Sequence, residues 1–260
     1  MPIPSAKRVV FTPNPLVEVV TQLTFPRLLE LEDVLPVKFQ KAIQSSFPIL
    51  EATKVLEFAV NPERPEATKA SEVRRYVFLS RDKKWQCVLS GNSIALTTSD
   101  YVNWVGFKER LNVVLSAFFQ SYEPALFSRI GLRYRDAISR SRLGLENTPW
   151  RQLLASHIAG LLATDAVNES DVTGCRTSAV FKITDEIKVQ LNHGLVEGAN
   201  QESEYMIDSD FFVDQTIEAS FDAAISTLSS FRPYTNDLFQ WCISEQLFNA
   251  MDPQPVPATG

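Results

Sequence analysis

The chain has 260 residues, 45% of them apolar and 22% charged, and a formal net charge of -6. Those proportions exclude extensive disorder, and the net negative charge argues against sequence-blind nucleic-acid binding as a property of the whole chain. The apolar residues fall in short bursts broken by Arg, Glu, Asp or Lys, none of them long enough to cross a bilayer. Cys87, Cys175 and Cys242 are far apart and never in a CxxC spacing, so neither a disulfide framework nor a zinc knuckle is expected, and free thiols packed as small hydrophobes are.

Residues 1 to 15 are rich in proline and carry Lys7 and Arg8 without an apolar h-region, which predicts an extended arm, no signal peptide and a cytoplasmic location by default. Leu16 to Phe25 alternates as a strand, with Val17, Val19, Thr21, Leu23 and Phe25 on one face and Glu18 and Gln22 on the other. A helix is expected from Asp33, with Pro36 in its first turn and Pro48 as its stop. Four short strands follow, over Lys54–Val60, Arg74–Ser80, Lys84–Ser90 and Ser93–Thr98. Gly91-Asn92 is the hairpin turn between the last two, and Asn61–Ser71 reads as a polar, mobile loop. Trp104, Phe107, Leu111, Val114, Leu115 and Phe118 recur at helical spacing.

The second half opens on FSRIGLRYRDAISR, Phe127 to Arg140, the clearest strand pattern in the chain. Ile130, Leu132 and Tyr134 share one face; Arg129, Arg133 and Arg135 share the other. Thr148-Pro149 begins a helical stretch over Trp150–Leu162. Strands are expected over Asp171–Lys182, Glu186–His193 and Glu204–Val213, with Asn192-His193-Gly194 as a turn closing the second. A helix through Ile217, Phe221 and Leu228 should break at Arg232-Pro233-Tyr234 and restart from Thr235. Asp252 onward reads as a disordered tail within residues 251–260.

Together these elements predict one α+β domain over residues 1–250, an antiparallel sheet backed by helices. Its two pseudo-repeats of strand, helix, meander and helix span about 14–121 and 126–250, with the duplicated saddle of the TATA-binding protein as a fold-level analogy.

Asn14-Pro15-Leu16-Val17-Glu18-Val19-Val20, Arg129-Ile130-Gly131-Leu132-Arg133-Tyr134 and Thr235-Asn236-Asp237-Leu238-Phe239 resemble the signatures of a sporadically distributed family of uncharacterised bacterial proteins of about 250 residues. The resemblance covers nearly the whole chain. It implies a bacterial, cytoplasmic, stand-alone protein connected with mobile-element or defence loci, and it supplies no activity.

Arg129, Arg133 and Arg135 at alternate positions can present guanidinium forks to phosphate or carboxylate, or they can pair with carboxylates of neighbouring strands. Glu18 and Gln22 are the expected companions on the same face, and Glu18 is expected within ion-pair reach of Arg133. Asp208, Asp210 and Asp214, with Glu202 and Glu204, offer oxygen ligands for a hard cation but lack a calcium-loop spacing, and an acidic strand face explains them equally. His157 and His193 are the two histidines, too few for a zinc centre. No P-loop, GxGxxG or GxSxG occurs.

No catalytic residue, metal or cofactor follows from these patterns. The expected function is a non-enzymatic binding or interaction protein whose partner is another protein or a small anionic ligand. The alternatives are a sensor or enzyme recognising a small phosphorylated ligand or nucleotide at the arginine face, and nucleic-acid binding through that same face.

Overall fold

A computed structural model of the chain describes residues 3–61, 64–198 and 202–256, giving the backbone alone at 52–61 and 64–73. In chain order the elements are β1 (Val9–Val10), β2 (Leu16–Thr24), α1 (Glu30–Asp33), α2 (Val37–Ile43), β3 (Ile49–Asn61), β4 (Arg64–Leu79), β5 (Trp85–Ser90), β6 (Ser93–Thr98) and α3 (Trp104–Ser121). They continue as β7 (Leu126–Phe127), β8 (Arg129–Ile138), α4 (Trp150–Leu153), α5 (Ser156–Ala159), β9 (Arg176–Lys182), β10 (Lys188–Glu197), β11 (Ser203–Val213), β12 (Ile217–Glu218), α6 (Phe221–Cys242), α7 (Glu245–Ala250) and β13 (Gln254–Pro255). The class is α+β, with antiparallel strands backed by helices. The chain forms two compact units, one taking residues up to Val19, Gly131–Val213 and everything from Thr227, the other Val20–Ile130 and Asp214–Ser226. Their bounds differ from the expected halves of about 14–121 and 126–250, because β2 and β8 are each divided between the units.

In the second unit the strand order is β3-β4-β5-β6-β2. β5 and β6 meet at Gly91-Asn92 as expected, with Ser90 opposite Ser93 and the Ser90 hydroxyl within 3.0 Å of Asn92 Oδ1. The polar stretch Asn61–Ser71 departs from expectation. Asn61 and residues 64–71 are strand, with 62 and 63 outside the described residues: β3 pairs antiparallel with β4 from Ile49↔Leu79 to Ala59↔Lys69 and, past an irregularity, at Asn61↔Arg64. A ladder satisfies backbone groups whatever the side chains are, so a polar composition does not by itself forbid a strand.

Helix α3 begins where Asn103 Oδ1 accepts the Gly106 amide at 2.9 Å, an N-cap the sequence pattern did not single out. Its Trp104, Phe107, Leu111, Val114, Leu115 and Phe118 are all buried. Phe107 lies between two indoles, 5.7 Å from Trp85 and 5.9 Å from Trp104.

The first unit orders its strands β8-β11-β10-β9. Trp150–Leu162, expected as one helical stretch, is broken into α4, α5 and a 3-10 turn, because Leu154 leaves the helix to bridge Ile243. The expected break at Pro233 does not occur, and α6 runs through it. A proline removes one amide, and here Phe231 and Leu238, both fully buried on either side, hold a single axis. The expected disordered tail is ordered at β13, which pairs antiparallel with β1 through Val9↔Pro255 and Val10↔Gln254. Beside it Phe11 packs 5.5 Å from both Phe239 and Phe248. Among the described residues no helix is long and apolar enough to cross a membrane.

Phe107 is 1% exposed, so truncating it leaves a cavity the surrounding rings cannot fill. Phe107→Ala is expected to lower stability by about 3–5 kcal/mol, read as a fall in urea midpoint at constant slope; an unchanged midpoint would mean that this face is not core.

Candidate functional site

β8 builds the centre of the first unit by alternation. Leu132, Tyr134 and Ile138 are buried, and Asp136 is buried among them, while Arg133 and Arg135 emerge half-buried on the opposite side. The arginines are then tied to carboxylates brought in by other strands. Arg133 donates through Nε to Asp208 Oδ1 at 2.6 Å and through Nη2 to Oδ2 at 2.5 Å, the bidentate fork that suits a guanidinium and a carboxylate. Those hydrogen bonds raise the Arg133 pKa against the opposing effect of burial.

Arg135 Nη1 donates to Glu18 Oε2 at 3.0 Å. The expected partners are therefore exchanged: Glu18 meets Arg135, and Arg133 takes an aspartate from β11. Glu18 still adds a smaller electrostatic contribution at Arg133. The Nε–H of Arg135 is buried without a hydrogen-bond partner, which a folded protein tolerates in few places. Arg129 and Gln22 belong to the other unit.

Beside this network opens a cavity of about 390 Å³. Arg135, Arg176, Ser178, Asn192, Met206 and Asp208 line it; Glu18, Gln22, Arg129 and Arg133 do not. Ladder register explains the grouping. Ser178 faces Asn192, which faces Asp208; one step along, Arg176 faces Gly194, which faces Met206. Arg176 is exposed and has no ion-pair partner among the described residues.

Gly194 sits inside β10 with φ +154°, so Asn192-His193-Gly194 is strand and not the expected turn. A Cβ at this position would lie 1.9 Å from the Cys175 carbonyl oxygen. That carbonyl accepts the Leu195 amide at 2.8 Å. Only glycine lets the backbone leading into Arg176 come this close.

Under the sheet a polar set faces the helices. Tyr205 donates its hydroxyl to the Ile158 carbonyl at 3.1 Å, so the 2.7 Å contact with His193 Nδ1 has the imidazole as donor. Burial lowers the His193 pKa and raises those of Tyr205 and Cys242. Asp136 is pushed up to about 8, chiefly by burial and then by the charge of Asp208. Of these groups His193 contributes to the cavity lining, with its Nδ1 taken up by Tyr205.

The acidic run divides in the same way between structural tasks. Asp208 is committed to Arg133, and Glu202 accepts hydrogen bonds from the Ser141 amide and hydroxyl and from Ser139. Among the described residues no group of three or more His, Cys, Asp or Glu could hold a metal ion.

Two predictions follow from this geometry. In double-mutant cycles, Arg133 and Asp208 should couple by about 1–3 kcal/mol, since Asp208 is nearly buried, and Arg135 with Glu18, both partly exposed, by about 0–1 kcal/mol; equal couplings would contradict the assignment. For Asp136, the folded carboxyl titrates near 8 and an unfolded aspartate near ~4. The folded state thus keeps a proton that the unfolded state releases, and stability falls as pH rises from about 4 to about 8. Asp136→Asn should flatten that dependence and be the more stable protein at pH 8, by several kcal/mol at most and about 1.4 kcal/mol for each pH unit crossed, measured by urea unfolding at pH 6 and pH 8. Compared with known proteins, the sequence matches no family model and no curated protein.

Proposed function

We propose that this chain is a non-catalytic, cytoplasmic binding protein that takes up a small anionic ligand at the cavity beside the β8 arginines. The observation that carries this reading is that two arginines, Arg135 of β8 and Arg176 of β9, line one cavity. Arg176 has no ion-pair partner among the described residues, and Arg135 keeps a buried Nε–H unsatisfied beyond its contact with Glu18. A guanidinium recognises phosphate or carboxylate through two parallel N–H donors. The size of the cavity suits a metabolite, since small-ligand sites run from about 300 to 1,000 Å³.

In support of a non-catalytic reading, Asp136 is buried within the sheet, and His193, though it contributes to the cavity lining, is hydrogen-bonded through Nδ1 to Tyr205. The nucleic-acid alternative is less well supported: Arg133 is committed to Asp208 through both Nε and Nη2, and the chain carries a net charge of -6.

Native mass spectrometry of the protein purified from its host should reveal a retained low-mass anion. In calorimetric titration with inorganic phosphate, Arg176→Ala should weaken binding by about 10-fold or more, the equivalent of one charge-assisted hydrogen bond. A protein that carries no small molecule and shows no heat with phosphate would overturn the reading.

A further inference from the structure

The cavity holds more than cationic groups, and its remaining polar atoms are already oriented. Asn192 Oδ1 accepts the Ser178 hydroxyl at 2.7 Å and the Gln190 amide at 3.4 Å. With its oxygen so engaged, Asn192 has its two side-chain N–H donors left for other partners. Ser178, having given its proton to Asn192, keeps oxygen lone pairs as acceptors. Asp208, next in the same cross-strand row, spends one lone pair of each oxygen on Arg133 and retains the others.

The cavity therefore offers donors and acceptors alternately along the row Ser178, Asn192, Asp208. It also offers the guanidiniums of Arg176 and Arg135, with Val196 and Met206 as apolar lining. Hydroxyl groups, each both donor and acceptor, match the row, and a phosphate matches the guanidiniums. No Phe, Tyr or Trp lines the cavity, and the one ring residue of its lining, His193, is buried and held through Nδ1 to Tyr205, so a nucleobase would find little ring surface to stack on.

We infer that the ligand is a hydroxylated phosphate monoester of the sugar-phosphate class, its phosphate held by Arg176 and Arg135 and its hydroxyls read by the row Ser178, Asn192 and Asp208. The inference rests on the anion-binding reading above and adds the class of the ligand.

Isothermal titration calorimetry with four probes tests it: inorganic phosphate, ribose 5-phosphate, ribose and adenosine monophosphate. Ribose 5-phosphate should bind at least about tenfold more tightly than phosphate, the worth of one or two well-placed hydrogen bonds. Ribose alone should bind more weakly than either, and adenosine monophosphate no more tightly than ribose 5-phosphate. Asn192→Ala should abolish the preference for ribose 5-phosphate while leaving phosphate affinity within about twofold, whereas Arg176→Ala should weaken both; should Asn192→Ala fail to fold, Ser178→Ala, at an exposed position, serves in its place.

Equal affinities for phosphate and ribose 5-phosphate would refute the sugar-phosphate class and leave anion binding intact. Adenosine monophosphate binding tenfold more tightly than ribose 5-phosphate would refute it in favour of base recognition. Absence of binding by every phosphate probe would overturn the anion-binding reading together with it.

Discussion

The bidentate contact between Arg133 and Asp208 constrains what may lie beside β8. An arginine half-buried on a sheet face loses hydration and regains it only through a partner of matching geometry. That partner comes from β11, seventy-five residues further along the chain. β11 also faces β10 in register from Lys188↔Phe212 to Glu197↔Ser203, so the position of Asp208 sets the rows in which Asn192 and Ser178 fall. Slipping that register by one residue would send Asp208 to the helix side and leave Arg133 without its carboxylate. The ion pair thus contributes more to specifying the arrangement than to raw stability.

The two faces of the first unit treat charge in opposite ways. On the outer face, Arg133 pairs with Asp208 and Arg135 with Glu18, while Arg176 has no ion-pair partner among the described residues. On the helix side, groups of the same chemical types are kept neutral by burial: Asp136 holds its proton to about pH 8, and His193, its pKa lowered, donates to Tyr205. Asp208 acts on both faces, since its charge raises the Asp136 pKa while its oxygens bind Arg133.

Much of the scaffold was legible in the sequence because its signals are local. The alternation of β2 and β8, the Gly91-Asn92 hairpin and the apolar stripe of α3 are each read within a dozen residues. Failures arose where distant parts decide. Pro233 reads as a helix break until Phe231 and Leu238 are seen buried on both sides of it. The proline-bearing C-terminal segment reads as disorder until Pro255 and Gln254 are found pairing with Val9 and Val10.

The site was half legible for the same reason. Glu18 and Arg135 carry obvious charge in obvious strands, but Arg176, Ser178 and Asn192 are ordinary residues whose importance comes from cross-strand neighbours. The one local clue was Gly194, a glycine within an otherwise apolar and polar alternation, and a glycine there signals either a turn or a close approach of backbone. The motif Thr235-Asn236-Asp237 has an architectural task as well: Asp237 accepts the Ala6 amide at 3.0 Å, and Asn236 donates to the Lys7 carbonyl at 3.4 Å.

That stitching of the N-terminal arm has a topological meaning. With Val9 opposite Pro255, the polypeptide between them is closed by hydrogen bonds into a ring, and the closing contact is already in place. A short covalent linker across that junction would add little loop-closure entropy, so the fold has no intrinsic beginning. A circularly permuted chain, opened at the exposed end of a hairpin, would encounter the same neighbours in the same cyclic order.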